Sequence, residues 1–234
     1  MRRSRGAEVP KSAYEDPMMY QGSSDTMQGP HDDIAVGDEA WGIDFEGEIA
    51  AVTGDVPMGA SEAQGARNIR LLTIVNDVSL RGLIPAELGK GFGFLHGKPS
   101  TAFAPAMATP DELGSAWKGG TIHLPLVSTL NGKVVGRPDA GADMQFNLPR
   151  LIAHAAKTRS LAAGTIVGSG TVANRDEARG CSCIAEIRAI ETIKHGKPVT
   201  PFMRFGDTIR IDMQDAAGAT VFGAIEQKVV KYAG

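Results

Sequence analysis

Short blocks of apolar and β-branched residues, many alternating with polar ones, recur along most of the chain, and helical spacing is the exception. Asp44–Thr53 and Arg70–Val78 carry such residues with no internal Pro, and both predict strands. Further strands are predicted at Ala102–Ala108, Ile122–Leu130, Thr165–Ser169, Cys183–Ile193, Thr208–Met213 and Val221–Val230. Asn131-Gly132 predicts a hairpin into Lys133–Arg137, because a type I′ turn needs positive φ at both central residues. One helix stands out at Asn147–Arg159, where Leu148, Leu151, Ile152, Ala155 and Ala156 recur at helical spacing. Asn147 is placed to cap it, and Pro149 suits its first turn. A shorter helix is expected after Pro110, with Asp111 and Glu112 favourably near its positive start. No βαβ rhythm runs through the sequence, which argues against a doubly wound parallel sheet. Residues 1–32 are polar, basic at the start, and read as an N-terminal arm or the remnant of another domain, with Met18–Tyr20 a short strand. Residues 33–234 have the composition of a packed domain.

Acidic residues fall in a distinctive pattern on two of these strands. Glu46 and Glu48 are two apart, so strand geometry sends both to one face. Like charges held that close repel unless something positive lies between them. Asp77, on the next predicted strand, would complete an all-oxygen cradle suited to a hard cation such as Mg²⁺. The same spacing also fits a solvated face of an antiparallel sheet. Ile43, Phe45, Ile49, Val52 and the run Leu71–Val75 favour burial, and buried carboxylates need partners. Arg81, four residues after Asp77, fits either a counter-charge for the acids or a bidentate holder of a substrate carboxylate.

Asp44-Phe-Glu-Gly-Glu48 followed by Asn76-Asp-Val-Ser-Leu-Arg81 resembles the paired signature of the fumarylacetoacetate hydrolase family. The resemblance continues through Lys98-Pro-Ser-Thr-Ala-Phe-Ala-Pro105, Gly164-Thr-Ile-Val-Gly-Ser-Gly-Thr171 and Phe205-Gly-Asp-Thr-Ile-Arg-Ile211, in unbroken order. It implies a strand-rich α+β fold, a mixed β-roll or sandwich, that assembles as a homodimer. Glu46, Glu48 and Asp77 would hold Mg²⁺, with Mn²⁺ or Ca²⁺ as alternatives. Arg81 would bind the substrate carboxylate, and Lys98, preferred over Lys90, would assist enolate charge. Tyr20 and Thr171 would touch the substrate. The implied reaction is hydrolysis of a carbon–carbon bond in a small β-diketo acid such as fumarylacetoacetate or an acylpyruvate, as in aromatic catabolism. Decarboxylation of a 2-oxo acid or keto–enol isomerisation on the same metal site is the alternative, and a non-catalytic metal-binding fragment is the third. The family's hydrolases carry a water-activating histidine upstream of the Tyr20 region. No histidine precedes His31 here, so the chain is expected to be the catalytic portion of a longer protein.

Bulk properties narrow the picture further. The chain has 234 residues, 42% hydrophobic and 22% charged, as an ordinary globular protein does. A net charge of −3 without a basic run argues against a nucleic-acid partner. No apolar run reaches membrane-spanning length and the start lacks a signal-peptide apolar core, so no membrane partner and a cytoplasmic location are expected. Cys181 and Cys183 are expected as buried free thiols. None of the five histidines falls in a metal motif, and neither a Gly-x-Ser-x-Gly elbow nor a phosphate-binding loop occurs.

Overall fold

In a computed structural model of the protein, residues 10–24 and 26–233 are described. The helices are α1 (Ser12–Glu15), α2 (Glu62–Asn68), α3 (Ile84–Gly89), α4 (Leu148–Ala155) and α5 (Ile184–His195). The earlier strands are β1 (Ile34–Val36), β2 (Ile43–Asp44), β3 (Gly47–Thr53), β4 (Ile69–Asn76), β5 (Ser79–Leu80) and β6 (Ala102–Phe103). The later ones are β7 (Trp117–Lys118), β8 (Thr121–Ile122), β9 (Leu126–Leu130), β10 (Lys133–Gly136), β11 (Ile166–Gly168), β12 (Thr208–Met213) and β13 (Ile225–Lys231).

Two sheets dominate this strand-rich α+β fold. One has the order β1-β13-β12-β9-β10 and the other β11-β3-β4-β6. Among the described strand ladders β1 pairs in parallel with β13, Ile34 lying opposite Val229, and the others are antiparallel, while Gln28 adds an isolated parallel bridge to Ala102 of β6. Phe45, Ile49, Leu72, Ile74, Leu126, Ile211 and Phe222 are fully buried in one core. A buried amide chain ties the sheets together: Asn76 Nδ2 donates to Gln227 Oε1, and Gln227 Nε2 donates to the Asp32 carbonyl. No helix among the described residues is long and apolar enough to cross a membrane.

The β3–β4 ladder runs on without a change of register into the short β2–β5 pair. Gly47 lies opposite Asn76, and Asp44 lies opposite Ser79. Between them the Asp77 amide donates to the Glu46 carbonyl at 3.0 Å. This continuous register places the acidic motif and the Asp77–Arg81 segment side by side.

Several elements differ from the sequence expectation. Cys183–Ile193 is not a strand: Ile184 to His195 form α5, which buries Ile184, Ala185 and Ala189 on one face and ends at Gly196 with φ 78°. Its repeated isoleucines have β propensity, but packing of that face decides the outcome. The helix after Pro110 is also absent. That region makes turns and a short 3-10 segment at Gly114–Ala116, and Gly114 has a positive φ of 53°. Met18–Tyr20 forms no strand. Pro125, which has no N–H to offer, divides the strand expected at Ile122–Leu130 into β8 and β9. Helix α2 escaped the sequence reading although Ser61 and Gln64 form a reciprocal capping box at its start. The Asn131-Gly132 turn and the Asn147 cap are present as expected, with Asn131 at φ 49° and Asn147 accepting from the Arg150 amide.

One close backbone approach positions the segment that leads into α5. Gly136 bridges Gly180, and a Cβ at Gly136 would lie 2.2 Å from the Cys181 carbonyl oxygen. Gly136→Ala is therefore expected to cost about 1–3 kcal/mol or more, as overpacking against backbone does. A urea titration should show a lower midpoint. An unchanged midpoint would mean that the two segments part freely.

Candidate metal centre

Strand alternation sends Glu46 and Glu48 to one side of the β3–β4 sheet and Gly47 to the other. Gly47 has little room: a Cβ there would meet Leu126 Cδ2 at 3.1 Å. Register supplies the third acid. Asp77 sits directly across from Glu46 and diagonal to Glu48, the two cross-strand relations that allow side chains on one face to meet. One oxygen from each of Glu46, Glu48 and Asp77 lies within 4.8 Å of the others, and all three residues are buried. These are hard donors without His or Cys among them, a set that fits Mg²⁺, Mn²⁺ or Ca²⁺.

Positive groups and donors converge on the acids. Lys98 Nζ donates to Glu46 Oε2 at 2.5 Å, to Asp77 Oδ2 at 2.8 Å and to the Asp77 carbonyl at 3.1 Å, which engages all three ammonium donors. Thr101 Oγ1 donates to Asp77 Oδ1 at 2.9 Å, and the Tyr20 hydroxyl donates to Asp77 Oδ2 at 2.6 Å. The Tyr20 ring in turn packs against Phe94 and lies beneath the Lys98 ammonium. Arg81 spreads one edge of its guanidinium across two acids, with Nη2 donating to Glu46 Oε1 at 2.5 Å and Nε to Asp44 Oδ2 at 2.9 Å. Asn76 Oδ1 accepts from the Glu46 amide. From β11 the chain reaches Gly170, whose amide donates to Glu48 Oε2 at 3.0 Å.

The structure thus brings Glu46, Glu48, Asp77, Arg81, Lys98 and Tyr20 together. Lys90 instead ends α3 on the surface, and Arg70 lies beside Gly54. Thr171 is half-buried next to Gly170, but the group its turn brings to the acids is the Gly170 amide. Among the described residues no histidine hydrogen-bonds to the three carboxylates. His96 faces Glu87, His123 faces Asp139 and His154 faces Asp16. A separate cleft of about 870 Å³, with Tyr14, Asp143, Asn174 and Arg175 in its wall, includes none of the three acids. Sequence reasoning gave no role to Asp44, Asn76 or Thr101. For Asp44 a signal existed, since Asp-x-Glu-x-Glu puts all three acids on one face of an extended strand.

Compensation is uneven. Burial is the main cause that holds the Glu48 carboxyl well above the usual carboxylate range, with Asp77 and Glu46 adding to it against Lys98 and the Gly170 amide. Burial works against the Lys98 ammonium, but Glu46 and Asp77 outweigh it, so Lys98 is raised and stays charged. Burial, then Asp77, also raises Tyr20, which remains a phenol and a donor. For Glu48 the folded state binds a proton more tightly than the unfolded chain does. The metal-free protein therefore loses stability as pH rises from the unfolded pKa towards the raised folded one. Glu48→Gln should raise the melting temperature of the metal-free protein at pH 8 by roughly 2–4 °C, the equivalent of about 1 kcal/mol in a domain of this size. It should leave the melting temperature near that of the wild type at pH 4. Equal melting curves at both pH values would mean that Glu48 carries no uncompensated charge.

Among curated proteins, the chain is 26% identical over 159 residues to a 2,4-didehydro-3-deoxy-L-rhamnonate hydrolase of Sphingomonas sp. (strain SKA58), covering 67% of this chain and 53% of that protein. It is 28% identical over 166 residues to a mitochondrial oxaloacetate tautomerase of Xenopus laevis, covering 70% of this chain and 48% of the tautomerase. The chain spans about half the length of these relatives. Its fold matches the crystal structure of a fumarylpyruvate hydrolase from Pseudomonas aeruginosa in complex with Mn²⁺ and pyruvate, with a TM-score of 0.70 and 14% identity over 99% of this chain and 84% of that one. It also matches a 5-carboxymethyl-2-hydroxymuconate delta-isomerase from Mycobacterium smegmatis, with a TM-score of 0.67 and 20% identity over 100% and 75% of the two chains. A sequence model of the fumarylacetoacetate (FAA) hydrolase C-terminal region matches residues 2–230, and the chain belongs to that family.

Proposed function

We propose that this chain is a divalent-metal enzyme that stabilises the enolate of a small 2-oxo or β-diketo acid, with keto–enol tautomerisation as its reaction. The observation that carries the reading is the meeting of three buried carboxylates with two cationic side chains at one end of a sheet. Glu46, Glu48 and Asp77 would hold the cation, Mg²⁺ or Mn²⁺. Bound there, it would supply positive charge for the developing enolate oxygen.

The remaining steps fall to the chain's own side chains. Arg81 has spent the Nε side of its guanidinium on Asp44 and Glu46, and its Nη1 end is engaged by no described residue. That end is the group to receive a substrate carboxylate. Lys98 carries its proton at Nζ and can turn one of its three donors from Asp77 or Glu46 to a substrate oxygen. Tyr20 keeps its hydroxyl proton directed at Asp77 and packs its ring against Phe94. This inventory suits keto–enol exchange, which needs charge stabilisation and one proton moved between carbon and oxygen but no activated water: the Lys98 ammonium would give a proton to the enol carbon and take one back from the enol oxygen. Two kinds of relative point the same way: the oxaloacetate tautomerase of Xenopus laevis, and the delta-isomerase fold from Mycobacterium smegmatis.

Carbon–carbon hydrolysis is the second reading, favoured by the similarity to the Sphingomonas hydrolase. It requires a base for water, and none of the described histidines touches the acids. Purified protein should interconvert enol and keto oxaloacetate in the presence of Mg²⁺ or Mn²⁺ and stop when the metal is chelated. Hydrolysis of acetylpyruvate should run at least about 10²-fold below that of a relative with its water-activating base, the usual size of such a contribution. Arg81→Ala should weaken oxalate binding by roughly 2–5 kcal/mol in calorimetry. Rapid acetylpyruvate hydrolysis with no tautomerisation would replace this reading by the hydrolytic one.

A further inference from the structure

The metal-site reading leaves one buried acid unused. Asp44 is fully buried, directly opposite Ser79, and on the same face of the continuous ladder as Glu46. Its carboxylate accepts from three donors: Arg81 Nε at 2.9 Å, the Ile184 amide at 2.7 Å and the Ala185 amide at 3.0 Å. The two amides open α5, whose N-cap residue, Cys183, makes no side-chain cap of its own. Asp44 is thus anchored to a twelve-residue helix on one side and to Arg81 on the other.

Arg81 cannot be placed by the acids around the metal position alone. Its guanidinium meets Glu46 only through Nη2, and a single bond of that kind leaves the plane free to swing. The second bond, from Nε to Asp44, fixes the plane. With the plane fixed, Nη2 holds Glu46 Oε1, and Glu46 Oε2 is left to turn towards Asp77, where Lys98 now meets it. We propose that Asp44 is a positioning residue: through Arg81 it orients Glu46 for the cation and aims the Nη1 end at the substrate, and the N-terminus of α5 holds Asp44 for that task. This rests on the metal-site reading and adds to it a residue that touches neither cation nor substrate.

The test is Mn²⁺ affinity, measured by calorimetry and by the electron paramagnetic resonance of the free ion, in the folded protein. Asp44→Asn keeps the size of the side chain but offers an amide where Arg81 and α5 need acceptors. It should raise the Mn²⁺ Kd by about 10–100-fold, the usual effect of losing a partner that orients a metal ligand. In an Arg81→Ala background the same change should add little, because the path through Arg81 is already cut. Cys183→Ser gives α5 a hydroxyl cap; combined with Asp44→Asn it should restore stability but not Mn²⁺ affinity. Arg81→Lys, which cannot hold Asp44 and Glu46 in one fixed plane, should show the same 10–100-fold loss and serves if no Asp44 variant folds.

An unchanged Kd in Asp44→Asn, or in Arg81→Lys where that variant stands in, overturns the inference. So does recovery of Mn²⁺ affinity by Cys183→Ser, which would make Asp44 a helix cap only. An equal loss with and without Arg81 would overturn it as well. If the wild-type chain fails to bind Mn²⁺, the metal-site reading itself falls and takes the inference with it.

Discussion

Mutual repulsion among three buried carboxylates is the constraint around which this structure is organised. Charges taken out of water cost several kcal/mol each unless partners surround them. Here the partners are unevenly shared. Glu46 faces two cations, and Asp77 faces one cation and two hydroxyls. Glu48 receives one backbone amide from Gly170. Its carboxyl is held well above the usual carboxylate range, through burial first and its acidic neighbours second. The balance is thus incomplete on one side of the cluster, and an added divalent ion would contribute most at Glu48. Folds that keep such a deficit give up stability that an apolar or amide side chain would restore.

Much of the site could be read from the sequence because two of its three acids obey a strand period. Glu46 and Glu48 needed only the alternation of an extended chain, and Lys98 and Arg81 were indicated by the resemblance of their motifs to the family's. Asp77 was harder, since its place depends on which residue beyond the end of β4 lies opposite Glu46, and pairing register is a tertiary property. The register turned out to extend through β2 and β5, which brought in Asp44 as well. Helix α5 was misread for a related reason. Ile184, Ile187, Ile190 and Ile193 look like strand residues one by one, yet their spacing of three is helical, and packing of the buried face outweighs the local preference. The capping box at Ser61 was a plain local signal for α2 that went unused.

Membership in the fumarylacetoacetate hydrolase family and the sheet architecture agree with one another, while the named relatives divide among hydrolysis, tautomerisation and isomerisation. That division has a physical root. On the proposed function, enolate stabilisation would be common to these chemistries and would fall to Glu46, Glu48, Asp77, Arg81 and Lys98. What separates the reactions is the placing of a base and a water, which depends on groups around the cradle rather than in it. Gly168 shows how narrow the cradle wall is, because a Cβ there would sit 3.0 Å from Glu48 Oε2.

The amide chain from Asn76 to Gln227 and Asp32 bears on how the protein acquires its site. Asn76 holds the Glu46 amide, yet Asn76 is itself held by a residue 151 positions further along, and that residue bonds to a carbonyl 195 positions back. Contacts of such separation close late, because the loop entropy must be met before they reward the chain. A nascent chain emerging from the ribosome would display the Glu46, Glu48 and Asp77 hairpin long before the strand that steadies it had been made.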